Sequence, residues 1–165
     1  RSPVKLGSAH PRNAPYQAFQ AKDGYFAIAA GNHKLWLSVL QVVGLPQLAE
    51  DARFVSTTDR AKNQGALKAL LEEVFTQKPV EHWIAAFNGA GVPHARINDY
   101  AAALADEQTE HMGWVQPLTL PNGQKTRTFA SPVRLSGQGF GIRRPPPGLG
   151  EHTDEIRAEY AQKAE

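Results

Sequence analysis

Hydrophobic positions along this chain recur at two periods, and the switches between them mark out the elements. Residues 16–21 and 25–30 are apolar, aromatic-containing runs on either side of Lys22-Asp23-Gly24, and Asp-Gly between such runs predicts a β-hairpin. The period then lengthens. Trp36, Val39, Leu40 and Val43 fall on one helical face that Asn32 can cap and that Gly44 and Pro46 stop. Residues 45–54 read as a short helical turn and loop. The strongest helix is predicted over 58–77, with Leu67, Leu70, Leu71, Val74 and Phe75 as its stripe and Ser56 or Thr57 as its cap. Pro79 suits the first turn of a further helix, striped by Val80, Trp83, Ile84 and Phe87 and ended by Gly89 and Gly91. These two helices are expected to pack as a helical hairpin.

The second half is patterned more weakly. Residues 92–97 read as a short strand, and Asp99 can cap a small helix through Leu104. Residues 114–120 and 125–129 flank Pro121-Asn122-Gly123, a second hairpin signal. From 130 to 149 the chain is rich in Gly and Pro and reads as irregular. Pro145, Pro146 and Pro147 form a stiff extended strap of about 3 Å per residue. It leads to a last helix over 153–163, with Thr153 as N-cap and Asp154 and Glu155 in the first turn, where they favour the dipole. That helix has only Ile156 and Tyr160 as an apolar stripe. Helices are held mainly by packing such a face, so this one needs a partner. The order ββα, αα, ββ defines an α+β fold rather than a Rossmann alternation.

Composition narrows the functions. With 165 residues, 41% of them hydrophobic, the chain is long enough for one cored domain plus an appendage. It has no Cys, which excludes disulfides, thiolate metal sites and a Cys nucleophile, and leans towards a reducing, cytoplasmic setting. Net charge is only +2 and the cations are scattered, which argues against nucleic acid. No apolar run approaches the roughly 20 residues that span a bilayer, so no membrane role is expected. Arg1 opens a stretch rich in turn formers with no signal-peptide core, as though a linker were already under way inside a longer chain.

Recognisable chemistry is sparse. The six histidines (His10, His33, His82, His94, His111 and His152) form neither HExxH nor a His-x-His pair, so no metal site is expected. There is no GxSxG, GxGxxG or P-loop signature; GQGFG at 137–141 reads as loop. Glu72 and Glu73 belong to a helix surface, and Glu107 and Glu110 to a polar turn. Two polar clusters remain. In 6–19, the small residues Gly7, Ser8 and Ala9, followed by His10, either let backbone approach a ligand closely or form a flexible linker. In 57–63, Arg60 either meets a phosphate or carboxylate bidentately or pins a helix start.

The series GSAHPRNAPYQAFQAKDGYFAIAAGN, LPQLAEDARFVSTTDRAKN, GVPHARIND, ASPVRLSG and PPPGLGEHTDEI, in that order and spacing, resembles the C-terminal portion of the family III CoA-transferases. These include formyl-CoA and carnitine-CoA transferases, with α-methylacyl-CoA racemase as a related branch. The resemblance implies a small α+β domain over 16–129, preceded by a substrate-side loop at 1–15. It implies a returning linker at 130–150 and a helix at 151–165 that belongs to a large Rossmann-like domain not included here. It further implies an interlocked homodimer, with acyl-CoA and carboxylic acid as substrates and no cofactor beyond CoA itself.

The implied chemistry is nucleophilic covalent catalysis. An Asp carboxylate attacks the acyl-CoA thioester to give a mixed anhydride, CoA thiolate returns to form an enzyme-bound thioester, and the acceptor acid takes the CoA. That Asp lies upstream, so no catalytic residue is assigned in this chain; Asp23, Asp59 and Asp99 have turn and cap roles. Gly7, Ser8, Ala9 and His10 occupy the place of a glycine-rich loop that closes over the acyl intermediate in some members. With one glycine, they depart from it. The stretch also lacks the tyrosine-rich opening of the racemase branch, which favours a transferase. A non-catalytic acyl-CoA or protein-binding module is the alternative.

Overall fold

A computed structural model describes residues 5–139 and 141–161. The fold is mixed, with small antiparallel sheets and seven α-helices among the described residues. The chain divides into two compact units, Arg1–Ile97 and Asn98–Glu165. The boundary falls inside the 16–129 stretch expected as one small domain.

In the first unit, β1 (Tyr16–Gln20) and β2 (Tyr25–Ala29) form the expected hairpin, and β3 (His94–Arg96) adds to β2 in a sheet ordered β1-β2-β3. Alternation sends Phe19, Phe26 and Ile28 to one face, where they are buried. Two helices, α3 (Gln64–Phe75) and α4 (Val80–Gly89), cover that face, and α1 (His33–Val43) packs on both of them. Phe75 is the hub. Its ring meets Phe26 at 5.0 Å, Trp83 at 5.1 Å and Phe19 at 5.3 Å, all edge to face, a favoured arrangement of aromatic quadrupoles. The Trp83 indole N–H donates to the Phe75 carbonyl at 2.9 Å, and so joins the two arms of the helical hairpin.

Caps fix the element ends. Asn32 accepts from the Leu35 amide, and Gly44 closes α1 in the left-handed conformation at φ 71. Asp23, in the hairpin turn, accepts from the Val80 amide at 2.8 Å and so caps α4 from a distant part of the chain. Pro79 stands just before α4 rather than in its first turn. The helix expected over 58–77 is two: α2 (Thr57–Lys62), capped by Ser56, and α3. They part at Asn63, whose side-chain amide donates to the Arg53 and Asp59 carbonyls and takes the backbone out of helical geometry.

The second unit holds α5 (Tyr100–Leu104), capped by Asp99, and α6 (Glu107–His111), capped by Asp106. Glu107 and Glu110 are therefore helical rather than in a turn; the Asp106 cap was the signal passed over. The second expected hairpin forms as β4 (Val115–Thr119) and β5 (Lys125–Phe129). Within the Gly- and Pro-rich stretch, β6 (Arg134–Leu135) and β7 (Gln138–Gly139) make a minimal hairpin where only irregular chain was expected, turning through Ser136 and Gly137 at positive φ. The last helix, α7 (Thr153–Ala161), has Thr153 as its first residue rather than its cap, because the Ile156 amide donates to the His152 carbonyl. Its expected end at Lys163 lies outside the described residues. Nothing on α7 is buried.

Candidate functional site

The outward face of the three-stranded sheet is the candidate site. A half-exposed strand face is ordinarily polar. Here the cross-strand register places Ala18 beside Ala27 and Ala27 beside Ala95, a row of methyl groups across all three strands. Tyr16 and Ile97 rise at the ends, 41% and 51% exposed. With Ser8 at the rim they bound an open cleft of about 300 Å³. Gln17, Ile28 and His94 also border it. The pleat turns their side chains to the helix-covered side, and the His94 ring lies 6.4 Å from that of Phe87. The described residues lining the cleft include no carboxylate, Lys or Arg. They can shelter an apolar group, but they offer it no nucleophilic or acidic carboxyl.

Among the described residues, the loop expected beside a substrate reaches this cleft through Ser8, and it is fastened down. Residues 16, 18 and 20 turn their main-chain groups to the outer edge of β1. The Ala18 amide donates to Ser8 Oγ at 3.1 Å, the His10 amide to the Tyr16 carbonyl at 2.9 Å, and the Gln20 amide to Glu72 Oε1 at 2.7 Å. An edge otherwise open to another strand is thus sealed by two side chains and one main-chain amide. Gly7 takes φ 61, and a Cβ there would meet nothing within 4 Å. The glycine serves the turn rather than a close approach. Ala9 donates from its amide to the Leu6 carbonyl at 3.1 Å.

Arg60 lies apart from the cleft and is fully buried. Its Nε donates to the Ala14 carbonyl at 2.9 Å and its Nη1 to the Phe54 carbonyl at 2.9 Å, while Nη2 donates to Thr57 Oγ1 at 3.1 Å. The guanidinium also stacks over the Trp36 ring at 5.2 Å. Burial lowers its pKa from the ordinary value, and the Asp59 charge offsets part of that. Nε, Nη1 and Nη2 are all engaged by the fold, and Arg60 pins the start of α2 to the Ala14 and Phe54 carbonyls. The alanine row was missed from the sequence. Its signal is the Tyr-x-Ala and Tyr-x-Ala-x-Ala spacing in the hairpin strands, apolar where polar residues are the rule.

The model of CoA-transferase family III matches residues 1–153, and the chain belongs to that family. It is 35% identical over 155 residues to a human succinyl-CoA:glutarate CoA-transferase, covering 94% of this chain and 35% of that protein. It is 36% identical over 162 residues to an acetyl-CoA:oxalate CoA-transferase of Acetobacter aceti, covering 98% of this chain and 40% of that one. Among solved structures, a CAIB/BAIF family protein from Brucella suis superposes with a TM-score of 0.71 at 36% identity, over 96% of this chain and 41% of that one. The chain therefore spans well under half the length of the relatives it matches. Among the described residues no helix is long and apolar enough to cross a membrane.

Proposed function

We propose that this chain is the C-terminal portion of a CoA-transferase that moves CoA from an acyl-CoA donor to a carboxylic acid acceptor. On this reading an Asp outside the chain attacks the donor's thioester carbonyl, the C–S bond breaks, and a mixed anhydride forms. The CoA thiolate then attacks the aspartyl carbonyl and releases the donor acid, leaving an enzyme-bound CoA thioester. The acceptor carboxylate repeats the sequence in reverse, and the Asp is regenerated. The chain contributes the apolar cleft on the β1-β2-β3 face as one wall of the acyl site, with Ser8 at its rim. The second unit docks on the remainder of the enzyme, which works as an interlocked homodimer in the cytoplasm. The acyl-CoA and the acid are its substrates; CoA is carried, not retained as a cofactor.

The observation that carries this reading is a cleft fit for an apolar group, without a carboxylate among its described residues, in a chain that matches transferases along nearly all its length but covers only 35% to 40% of theirs. The names of the relatives favour transfer over racemisation. A steady-state assay with an acyl-CoA donor and a carboxylic acid acceptor tests it. The chain alone is expected to give no transfer, and turnover by it would overturn the reading. Calorimetry with CoA thioesters separates the binding-module alternative, under which the isolated chain binds them tightly.

A further inference from the structure

The turn that carries the cleft rim is organised by one side chain, His10. Its Nδ1 receives the Asn13 amide at 3.1 Å and the Arg12 amide at 3.2 Å. Main-chain amides only donate, so Nδ1 must present its lone pair and the ring proton must sit on Nε2. This is the task that Asn, Asp, Ser and Thr side chains usually perform at the start of a turn. The rest of the residue is equally committed. Its ring stacks on Tyr16 with centroids 5.1 Å apart and planes 14° from parallel. Its amide donates to the Tyr16 carbonyl at 2.9 Å, and its carbonyl accepts from Gln64 Nε2 at 2.6 Å. Ser8, two residues earlier, is held by the Ala18 amide at the cleft rim.

We propose that His10 is the positioning residue of this loop, a neutral-ring latch that holds the 10–13 turn and with it the Ser8 rim, and that opens when the ring takes a proton at Nδ1. Protonation turns the acceptor into a donor facing two other donors, and both hydrogen bonds are lost. The groups that contact His10 are the Tyr16 ring from β1, the Gln64 carboxamide from α3, which bonds its carbonyl, and, on the same turn, the Arg12 and Asn13 amides. Among the described residues no carboxylate is bonded to His10, so none is there to hold an imidazolium in place. The loop is fixed by these contacts, and its release is tied to acid. The latch stands whether or not the cleft takes an acyl group.

Nitrogen NMR of the imidazole at about pH 8 reads the tautomer directly, and the expected signature is protonated Nε2 with an acceptor-type Nδ1. Amide exchange of Arg12 and Asn13, corrected for intrinsic rates, is expected to speed roughly tenfold from about pH 8 to about pH 5, as for a lost hydrogen bond. Core amides around Phe75 should hold. His10→Asn keeps an acceptor and should stay protected at both pH values. His10→Phe keeps the stack without the acceptor and should be unprotected at both. A proton on Nδ1 at the higher pH, pH-independent protection in the unaltered chain, or equal loss in the two variants would each overturn the latch. Should a variant fail to fold, the tautomer spectrum of the unaltered chain decides alone.

Discussion

The two units of this chain are built on different terms. Every buried hydrophobic side chain among the described residues lies between Ala14 and Val92, whereas the second unit buries only Thr109. Both have hairpins, capped helices and ion pairs, so local signals alone do not explain the difference. The first unit wraps its helices over one sheet face and closes an aromatic core around Phe75. The second leaves Phe129, Val133, Leu135 and Leu149 exposed, and its last helix shows Ile156 at 51% and Tyr160 at 65% exposure. Folding must offset an entropy of about 1–2 kcal/mol per ordered residue, chiefly by apolar burial. The first unit meets that demand internally; the described residues of the second do not.

The comparison is broken most directly at the pin and the hub. Arg60→Ala orphans buried carbonyls in two segments, and with charge-assisted bonds worth about 1.5–3 kcal/mol each the expected loss is about 4 kcal/mol. Arg60→Lys should recover only part of it, since one ammonium cannot reach carbonyls in several directions. Phe75→Ala removes the ring on which four others meet and should cost about 3–5 kcal/mol. Urea unfolding midpoints check all three. In the second unit, Leu149→Ser should move the midpoint by less than about 0.5 kcal/mol, as for a surface change. A large loss there would mean that the second unit is already packed on something.

How much of this was legible follows the same division. The first hairpin, the α1 stripe and the hub helices could be read because burial imposes a strict period there. The break at Asn63 could not, since it depends on a side chain reaching Arg53 across a loop. Asp23 was legible as a turn residue but not as the cap of α4, because the contact joins residues far apart in sequence. In the second unit, the minimal β6-β7 hairpin has no alternation to display. Of the candidate site, the fastening of the loop was not readable. Main-chain amides at a strand edge do not show in a sequence, nor does the face on which an alanine lies. Arg60 was read as either an anion ligand or a structural pin, and its bonds to the Ala14 and Phe54 carbonyls are contacts that no spacing in the sequence displays.

A middle-sized effect tests the sealed edge. Glu72 accepts from the Gln20 amide and pairs with Lys68 along α3. Glu72→Ala should cost about 1 kcal/mol, because the exposed Gln20 amide loses a charged acceptor that water only partly replaces. Exchange of the Gln20 amide should accelerate while that of Phe19, bonded into the sheet, does not. Unchanged Gln20 exchange would show that the edge does not depend on this side chain.

The smallest effect concerns whether surface charge separates the units at all. Asp51 in the first unit has its carboxyl lowered from the ordinary 3.8 to about 2, first by hydrogen bonds from the Arg53 side chain and then by the Arg53 amide. A depressed carboxyl contributes stability that is fully present above its unfolded value and is lost as the folded form takes up its proton. The contribution should therefore fade as pH falls from 3.8 to about 2. The pair is exposed, so salt screens it and its worth is small. In the second unit the pair of Arg144 with Glu155 is also exposed, at 64% and 57%. Asp51→Asn should leave the unfolding midpoint at neutral pH nearly unchanged and flatten the pH dependence of stability in that acid window; high salt should flatten it in the unaltered chain. An undiminished acid slope in the variant would assign that slope to other carboxylates. With both surface pairs contributing little, the contrast between the units rests on buried apolar area, and charge does not compensate for its absence in the second.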